Sequence, residues 1–397
     1  MHEEKTAKNP PIRSSRPDVQ SRKTLRTFAL ASFFNDLGSD IIYPIWPLFV
    51  TTVLKANMAA LGFLDGLGEA LVSLSQAASG YLSDKWRRRK LFIWIGYLCG
   101  GVSRLGYALA AAWPQLIPFK MFDRIGKIRS APRDAMVADI SADAERGRNF
   151  GLLRTMDNMG AFFGILIAIA LVNVIGYRAL FALAALPSLA GAALIFFRIR
   201  EKEDGTRKIF KGLVWKDLDK NLRLYMALNA LFALGAFSYS FLLIFAQRSG
   251  FKTGTVPVLY LIFTAAAMFF SLPFGRISDR IGRKRVLFIA FALWGGACGG
   301  FMLAPSRTVV VGLFVLYGLH KAALEPVQRT LVTEICPPQF KASALGAFQM
   351  IVGLCALPAS LLAGILWETV GGVVPFAVSL ALTGCASLLL LFVKERR

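Results

Sequence analysis

The stretch GRISDRIGRKR, Gly275 to Arg285, sets one aspartate, Asp279, among five cations, with long apolar sequence on either side. A second version, GYLSDKWRRRK, runs from Gly80 to Lys90 and sets Asp84 among Lys85, Arg87, Arg88, Arg89 and Lys90. Gly80 and Gly275, Asp84 and Asp279, and Arg88 and Arg283 are each 195 residues apart, as are Asp139 and Glu334, and Gly151 and Gly346. One constant offset over five pairs marks an internal duplication, so both halves should hold the same number of elements.

Composition says what those elements are. Of 397 residues, 55% are hydrophobic and 18% charged, too apolar for a set of soluble domains. Runs such as FFGILIAIALVNVIG (Phe162 to Gly176) and FAVSLALTGCASLLLLFV (Phe376 to Val393) belong to segments of about 20 residues, enough for a helix to cross about 30 Å of hydrocarbon. The net charge of +22 would suit a nucleic-acid binder if it formed one continuous face. Instead the cations cluster at residues 5–26, 85–90, 146–154, 198–223, 276–285 and 394–397, while the alternate loops carry little beyond Lys55, Arg178, Lys252 and Arg307. This alternation follows the positive-inside rule, which excludes nucleic acid as a partner and places both termini in the cytoplasm.

The apolar segments predict spans at 25–53, 57–83, 91–112, 115–140, 148–174, 177–197, 222–247, 254–278, 286–304, 307–334, 343–367 and 372–393. The fold class is therefore an all-α membrane protein of twelve transmembrane helices in two pseudo-symmetric six-helix bundles. A basic tail (1–24), a first bundle (25–197), a cytoplasmic linker (198–221), a second bundle (222–393) and a short tail (394–397) are expected. Phe210, Leu213, Val214 and Leu218, spaced among linker charges, suggest a short helix on the inner membrane surface. Residues 1–24 lack a small-residue cleavage site, so the first apolar segment is read as an uncleaved span. The five cysteines are scattered, with no C-x-x-C pair, and neither a disulfide framework nor a metal site nor a cofactor is expected.

On these residues the chain resembles the major facilitator superfamily along its whole length. The family's loop signature, G-x-x-x-D-[RK]-x-G-[RK]-[RK], is intact at Gly275, Asp279, Arg280, Gly282, Arg283 and Lys284. In the first half it appears at Gly80, Asp84, Lys85, Arg88 and Arg89, with Arg87 in place of glycine. Arg124 resembles the family's fourth-helix arginine, and Gly151, Gly160 and Gly164 match an antiporter spacing in which Ile165 replaces the proline. The runs FNDLGSDIIYPIWPLF (Phe34 to Phe49) and DRIGKIRSAPRDAMVAD (Asp123 to Asp139) resemble a bacterial branch with poorly defined substrates, iron chelates and siderophores among them. The resemblance implies cytoplasmic gates formed by Gly80, Asp84, Arg88 and Asp139 and by Gly275, Asp279, Arg283 and Glu334.

Charges within spans are costly, by a few kcal/mol each, and are functional candidates by default. Asp36 and Asp40 lie one turn apart on span one, and Asp65 and Glu69 one turn apart on span two. Paired carboxylates readily hold a shared proton, so these four are the candidates for proton coupling. Asn35, Arg104, Lys120, Asp123, Arg124, Lys127, His320, Lys321 and Glu325 are the candidates for binding a charged or zwitterionic solute. Each could instead tie helices together by neutralising a neighbour. Gly38, Pro44 and Pro47 in span one, with Pro118, Pro132 and Pro273, offer sites for kinks.

A secondary active transporter of the inner membrane is therefore expected, working by alternating access, coupled to protons and monomeric. Proton-driven efflux of drugs or metabolites and import of an iron chelate are the alternatives. No G-x-x-x-x-G-K-[ST] loop is present for ATP, and no G-x-S-x-G elbow for hydrolysis, so an enzyme is not expected.

Overall fold

In the computed structural model, residues 19–86, 88–141, 145–200, 219–303, 306–337 and 341–395 are described. Most of the basic tail, the linker residues 201–218 with their expected surface helix, Arg87, the surroundings of Gly80 and the side chain of Asp84 lie outside the described residues.

The described chain builds twelve spans in two bundles. Span one is broken: Val19–Ile42 ends in a turn at residues 43–45, and Trp46–Leu48 and a wide π-helical turn at Phe49–Val53 complete it. Pro44 and Pro47 remove backbone donors where the helix would otherwise continue. Spans two and three are Met58–Trp86 and Arg89–Leu109. Span four is Leu116–Ile125 and Ser130–Ile140, joined by a tighter 3-10 segment at Gly126–Arg129 rather than broken at Pro118 or Pro132. Spans five and six run through Arg146–Arg198 and turn at Gly176, whose φ of 75° favours glycine.

The second bundle repeats the plan. Span seven is also broken, Lys220–Gly235 and Tyr239–Arg248, and spans eight to twelve are Val256–Ile281, Arg283–Met302, Arg307–Ile335, Lys341–Thr369 and Val374–Phe392. Pro273 lies inside span eight without breaking it.

Length and apolarity alone qualify spans two and five to twelve as membrane-crossing. Spans one, three and four fall short because they are interrupted or carry the ionisable residues. Phe197 is 80% exposed, Phe269 69% and Phe392 70%, an apolar surface that hydrocarbon rather than water accommodates.

Spans two and eleven join the bundles. Gly62 lies against the Ser360 backbone and Gly66 against Leu357, where a Cβ would overlap the partner helix. At their end, the Met58 amide donates to Glu368 Oε1 at 2.7 Å. This contact lies at the end of the molecule opposite the basic loops, as does the approach of Gly254 to Asn173.

Candidate functional site

The breaks in spans one and seven face each other. The Tyr239 hydroxyl, at the start of the outer half of span seven, donates to the Tyr43 carbonyl in the span-one turn at 3.3 Å. Beside it, Asp65 of span two is buried and accepts from both bundles. Its Oδ1 takes Trp46 Nε1 at 2.9 Å and Lys120 Nζ at 3.4 Å, and its Oδ2 takes Ser238 Oγ at 2.7 Å and Ser240 Oγ at 2.5 Å. Ser238 is also the N-cap of Tyr239–Arg248, accepting from the Ser240 amide at 3.2 Å. The carboxylate thus sits at the N-terminal end of a half-helix, where the backbone dipole favours a negative group. With four donors satisfied, a buried charge at this position is tolerable.

Around this tie the first bundle gathers its charges. Lys120 Nζ lies 3.9 Å from the Trp46 ring centroid. Arg124 donates to the Tyr43 hydroxyl at 3.3 Å, stacks over the same ring at 5.2 Å and lies 3.4 Å from Asp123. The atom facing Asp123 is Nε, which is buried and makes no hydrogen bond. Asp40 is buried within electrostatic reach of Asp36, Lys127, Arg104 and Tyr260 of span eight. Asn35 donates through its side-chain amide to Asp36 at 2.8 Å, and its side-chain Oδ1 is buried without a partner. Glu69 is exposed and within electrostatic reach of both Arg124 and, across the gap between bundles, Lys321.

Other candidates are already occupied. Arg104, 1% exposed, donates to the carbonyls of Ala184 and Asn35 and to Ser39 Oγ at 2.7 Å, tying spans one, three and six. His320 is buried inside the second bundle, with Nδ1 2.8 Å from the Ala290 carbonyl and Phe232, Trp294 and Tyr317 around its ring. Lys321 and Glu325 pair at 2.7 Å on a different face, with side chains 38% and 53% exposed.

At the basic end the two loop signatures differ in register. Arg283 binds Asp279 at 2.5 Å and Glu334 at 3.0 Å, its amide donates to Glu395 at 2.5 Å, and Ser278 accepts from its guanidinium. In the first half Asp139 pairs with Arg89 at 2.7 Å, whereas the expected partner, Arg88, is exposed. Gly282 accounts for the difference: at φ 101° and ψ 149° it caps span nine, so that helix starts at Arg283. An arginine resists that conformation, and span three starts one residue later in the duplicated register, at Arg89. Gly275 has open space around it.

Four contributors, Asp157, Tyr43, Ser238 and Ser240, lie outside the residues expected from sequence. Asp157 of span five lies 3.7 Å from both Arg133 and Arg154, near Asp36. As a carboxylate within a span it carried the same signal as the others. Tyr43, Ser238 and Ser240 carry no charge, and only the fold brings them to the acids.

A small cavity of about 10 Å³ lies between Tyr43, Trp46, Arg104, Tyr107, Lys120 and Asp123. Two six-helix bundles meeting at broken spans, with ionisable groups concentrated where they meet, define a membrane transport protein. The chain belongs to the major facilitator superfamily, whose family model matches residues 28–270 and 250–397. It is 32% identical over 385 residues to an uncharacterized MFS-type transporter of Methanocaldococcus jannaschii, covering 95% of this chain and 96% of that one. It is 26% identical over 338 residues to the multidrug resistance protein MdtH of Aeromonas hydrophila, covering 82% and 83%. In fold it is similar to a bacterial homolog of the human lysosomal transporter Spinster, with TM-score 0.76, 16% identity and coverage of 96% and 97%. It is similar also to the nucleoside transporter NupG, with TM-score 0.71, 16% identity and coverage of 93% and 97%.

Proposed function

We propose that the chain is a secondary active transporter of the inner membrane, with both termini cytoplasmic, that carries a small charged or zwitterionic solute by alternating access coupled to protons. The observation that carries this reading is the pair of facing helix breaks bridged by Tyr239 and Asp65. Transporters commonly bind solute and coupling ion at such discontinuities near the bilayer midplane.

With the basic loops cytoplasmic, the contacts at Met58–Glu368, Gly62–Ser360 and Asp65–Ser240 close the outer side, and the conformation is inward-facing. Glu69, Lys321 and Glu325, exposed between the bundles, then face the cytoplasm and are the groups a solute meets first. Asp40, Asp36 and Glu69 are the proton carriers, and Arg124, whose Nε faces Asp123 at 3.4 Å without a hydrogen bond, is the group that would exchange this contact for a solute anion. Opening the outer side requires Asp65 to release Ser238 and Ser240. A proton or solute that weakens those bonds supplies the differential affinity that any such switch needs.

In this conformation Arg283, Asp279 and Glu334 all belong to the second bundle, so the signature loop shapes the cytoplasmic end of that bundle and meets the other bundle only when the inner side closes. Similarity to a multidrug resistance protein favours efflux of drugs as the second reading.

The test is a pH-sensitive dye sealed in proteoliposomes of the purified protein, challenged with glutamate, succinate, ferric citrate and ethidium in turn. One of the charged solutes should change the internal pH on addition, and a protonophore should abolish its accumulation. Solute accumulation indifferent to the proton gradient would refute the coupling. Proton-linked movement of ethidium alone would select the efflux reading.

A further inference from the structure

Apart from the central site, a cavity of about 460 Å³ opens at the basic end between the start of span one, the end of span four and the start of span five. Arg22, Arg26 and Arg148 line it, with Glu145, Leu25 and Leu152. The three arginines are exposed, and none has an ion-pair partner among the described residues. Positive-inside bias explains cations at this end of the molecule but not three guanidinium groups from two helices lining one cavity with a single acid among the described residues.

We propose that this cavity binds the phosphate of an anionic phospholipid headgroup. Arginine presents paired donors matched to phosphate oxygens, and basic pockets at the cytoplasmic ends of spans are suited to such headgroups. The volume lies within the range of small-molecule sites. Its position favours a lipid over a soluble phosphate: Arg22 and Arg26 lie in the first turns of a spanning helix, at headgroup level. Leu25 lines the cavity, and Leu152, 39% exposed, gives an acyl chain an apolar path away from it. Glu145 on the rim disfavours a ligand of several charges and suits a single phosphodiester such as that of phosphatidylglycerol.

The test uses the full-length protein in detergent, titrated with phosphatidylglycerol, phosphatidylcholine and inorganic phosphate, with bound lipid read by native mass spectrometry and by thermal shift. Phosphatidylglycerol should be retained and raise the melting temperature, and the Arg22→Gln, Arg26→Gln, Arg148→Gln triple variant should weaken that binding at least tenfold. The triple variant without lipid should melt at the parent's temperature, showing that the loss of binding is not misfolding, and lysine at the same three positions should restore only part of the binding. An Arg198→Gln, Arg200→Gln variant, changed at the same end but outside the cavity, should bind as the parent does. Equal loss in that variant would reduce the effect to general surface charge and overturn the site. Unaltered retention in the triple variant would overturn it too, and full competition by inorganic phosphate would reassign it to a soluble ligand.

Discussion

Asp65→Asn tests the tie between the bundles most directly, because it changes charge with almost no change in shape. Asp65 Oδ2 accepts both Ser238 at 2.7 Å and Ser240 at 2.5 Å, and in the proposed cycle these bonds break as the outer side opens. Hydrogen bonds to a charged group contribute about 1.5 to 3 kcal/mol each. Asparagine keeps one acceptor, and a serine hydroxyl can turn to accept from the new amide, so roughly half of that sum should be lost. A further few tenths of a kcal/mol goes with the charge at the N-terminus of Tyr239–Arg248. A net change of about 2 kcal/mol moves the balance toward the outward-open state by about 30-fold. The reporter is Ser360→Cys, at a residue 3% exposed whose backbone lies against Gly62, in a background with the five native cysteines replaced by alanine. A membrane-impermeant maleimide applied from outside should label it about 30-fold faster in Asp65→Asn, and similarly in Ser238→Ala, Ser240→Ala. Labelling within twofold of the parent in both variants would refute the latch.

Three further outcomes are expected. Asp40→Asn should abolish accumulation of solute against its gradient driven by pH while leaving solute exchange, and unchanged pH-driven accumulation in proteoliposomes would move the coupling elsewhere. Arg124→Ala should weaken solute binding by at least tenfold, since a charged donor facing a solute anion is removed, and an unchanged dissociation constant by calorimetry would leave Arg124 as a partner of Tyr43 and Asp123 only. Asp279→Asn should cripple transport while the protein stays in the membrane, because Arg283 then loses its 2.5 Å partner on span eight; unaltered uptake at normal membrane abundance would remove the loop from the gating cycle.

The twelve spans were legible because lipid forces a period of about 20 apolar residues on any helix that crosses it, and the loop cations fix which ends lie together. The duplication was legible to the residue, yet one of its consequences was not. Pairing Arg88 with Asp139 followed from the offset, but the offset assumes equal backbones. Gly282 adopts a φ of 101° and Arg87 is not a glycine, so the helix start and the ion pair move by one residue, to Arg89. Within the candidate site, the sequence revealed acids and bases but not their partners. Arg104 and Lys120 look alike as buried cations in a span, and only packing shows that Arg104 is consumed by two carbonyls and Ser39, whereas Lys120 reaches Asp65.

The facing helix breaks carry the same lesson to the level of mechanism. Tyr43 and Ser238 are 195 residues apart, so the two interruptions occupy one position of the ancestral repeat. The first is fixed by Pro44 and Pro47; the second, at residues 236–238, follows Gly235 and contains no proline. Gly235 weakens the helix there, and a tertiary contact holds it open: Ser238 leaves the helix to cap Tyr239–Arg248 and to donate to Asp65 on the other bundle. A break without proline can close again when its partner withdraws, since the propensity of Ala236 and Phe237 does not forbid a helix. In the proposed cycle the proline-fixed break of span one is the rigid side of the site and the serine-capped break of span seven the side that changes. Loss of the Asp65 bonds would then lengthen a helix at the same moment as it parts the bundles.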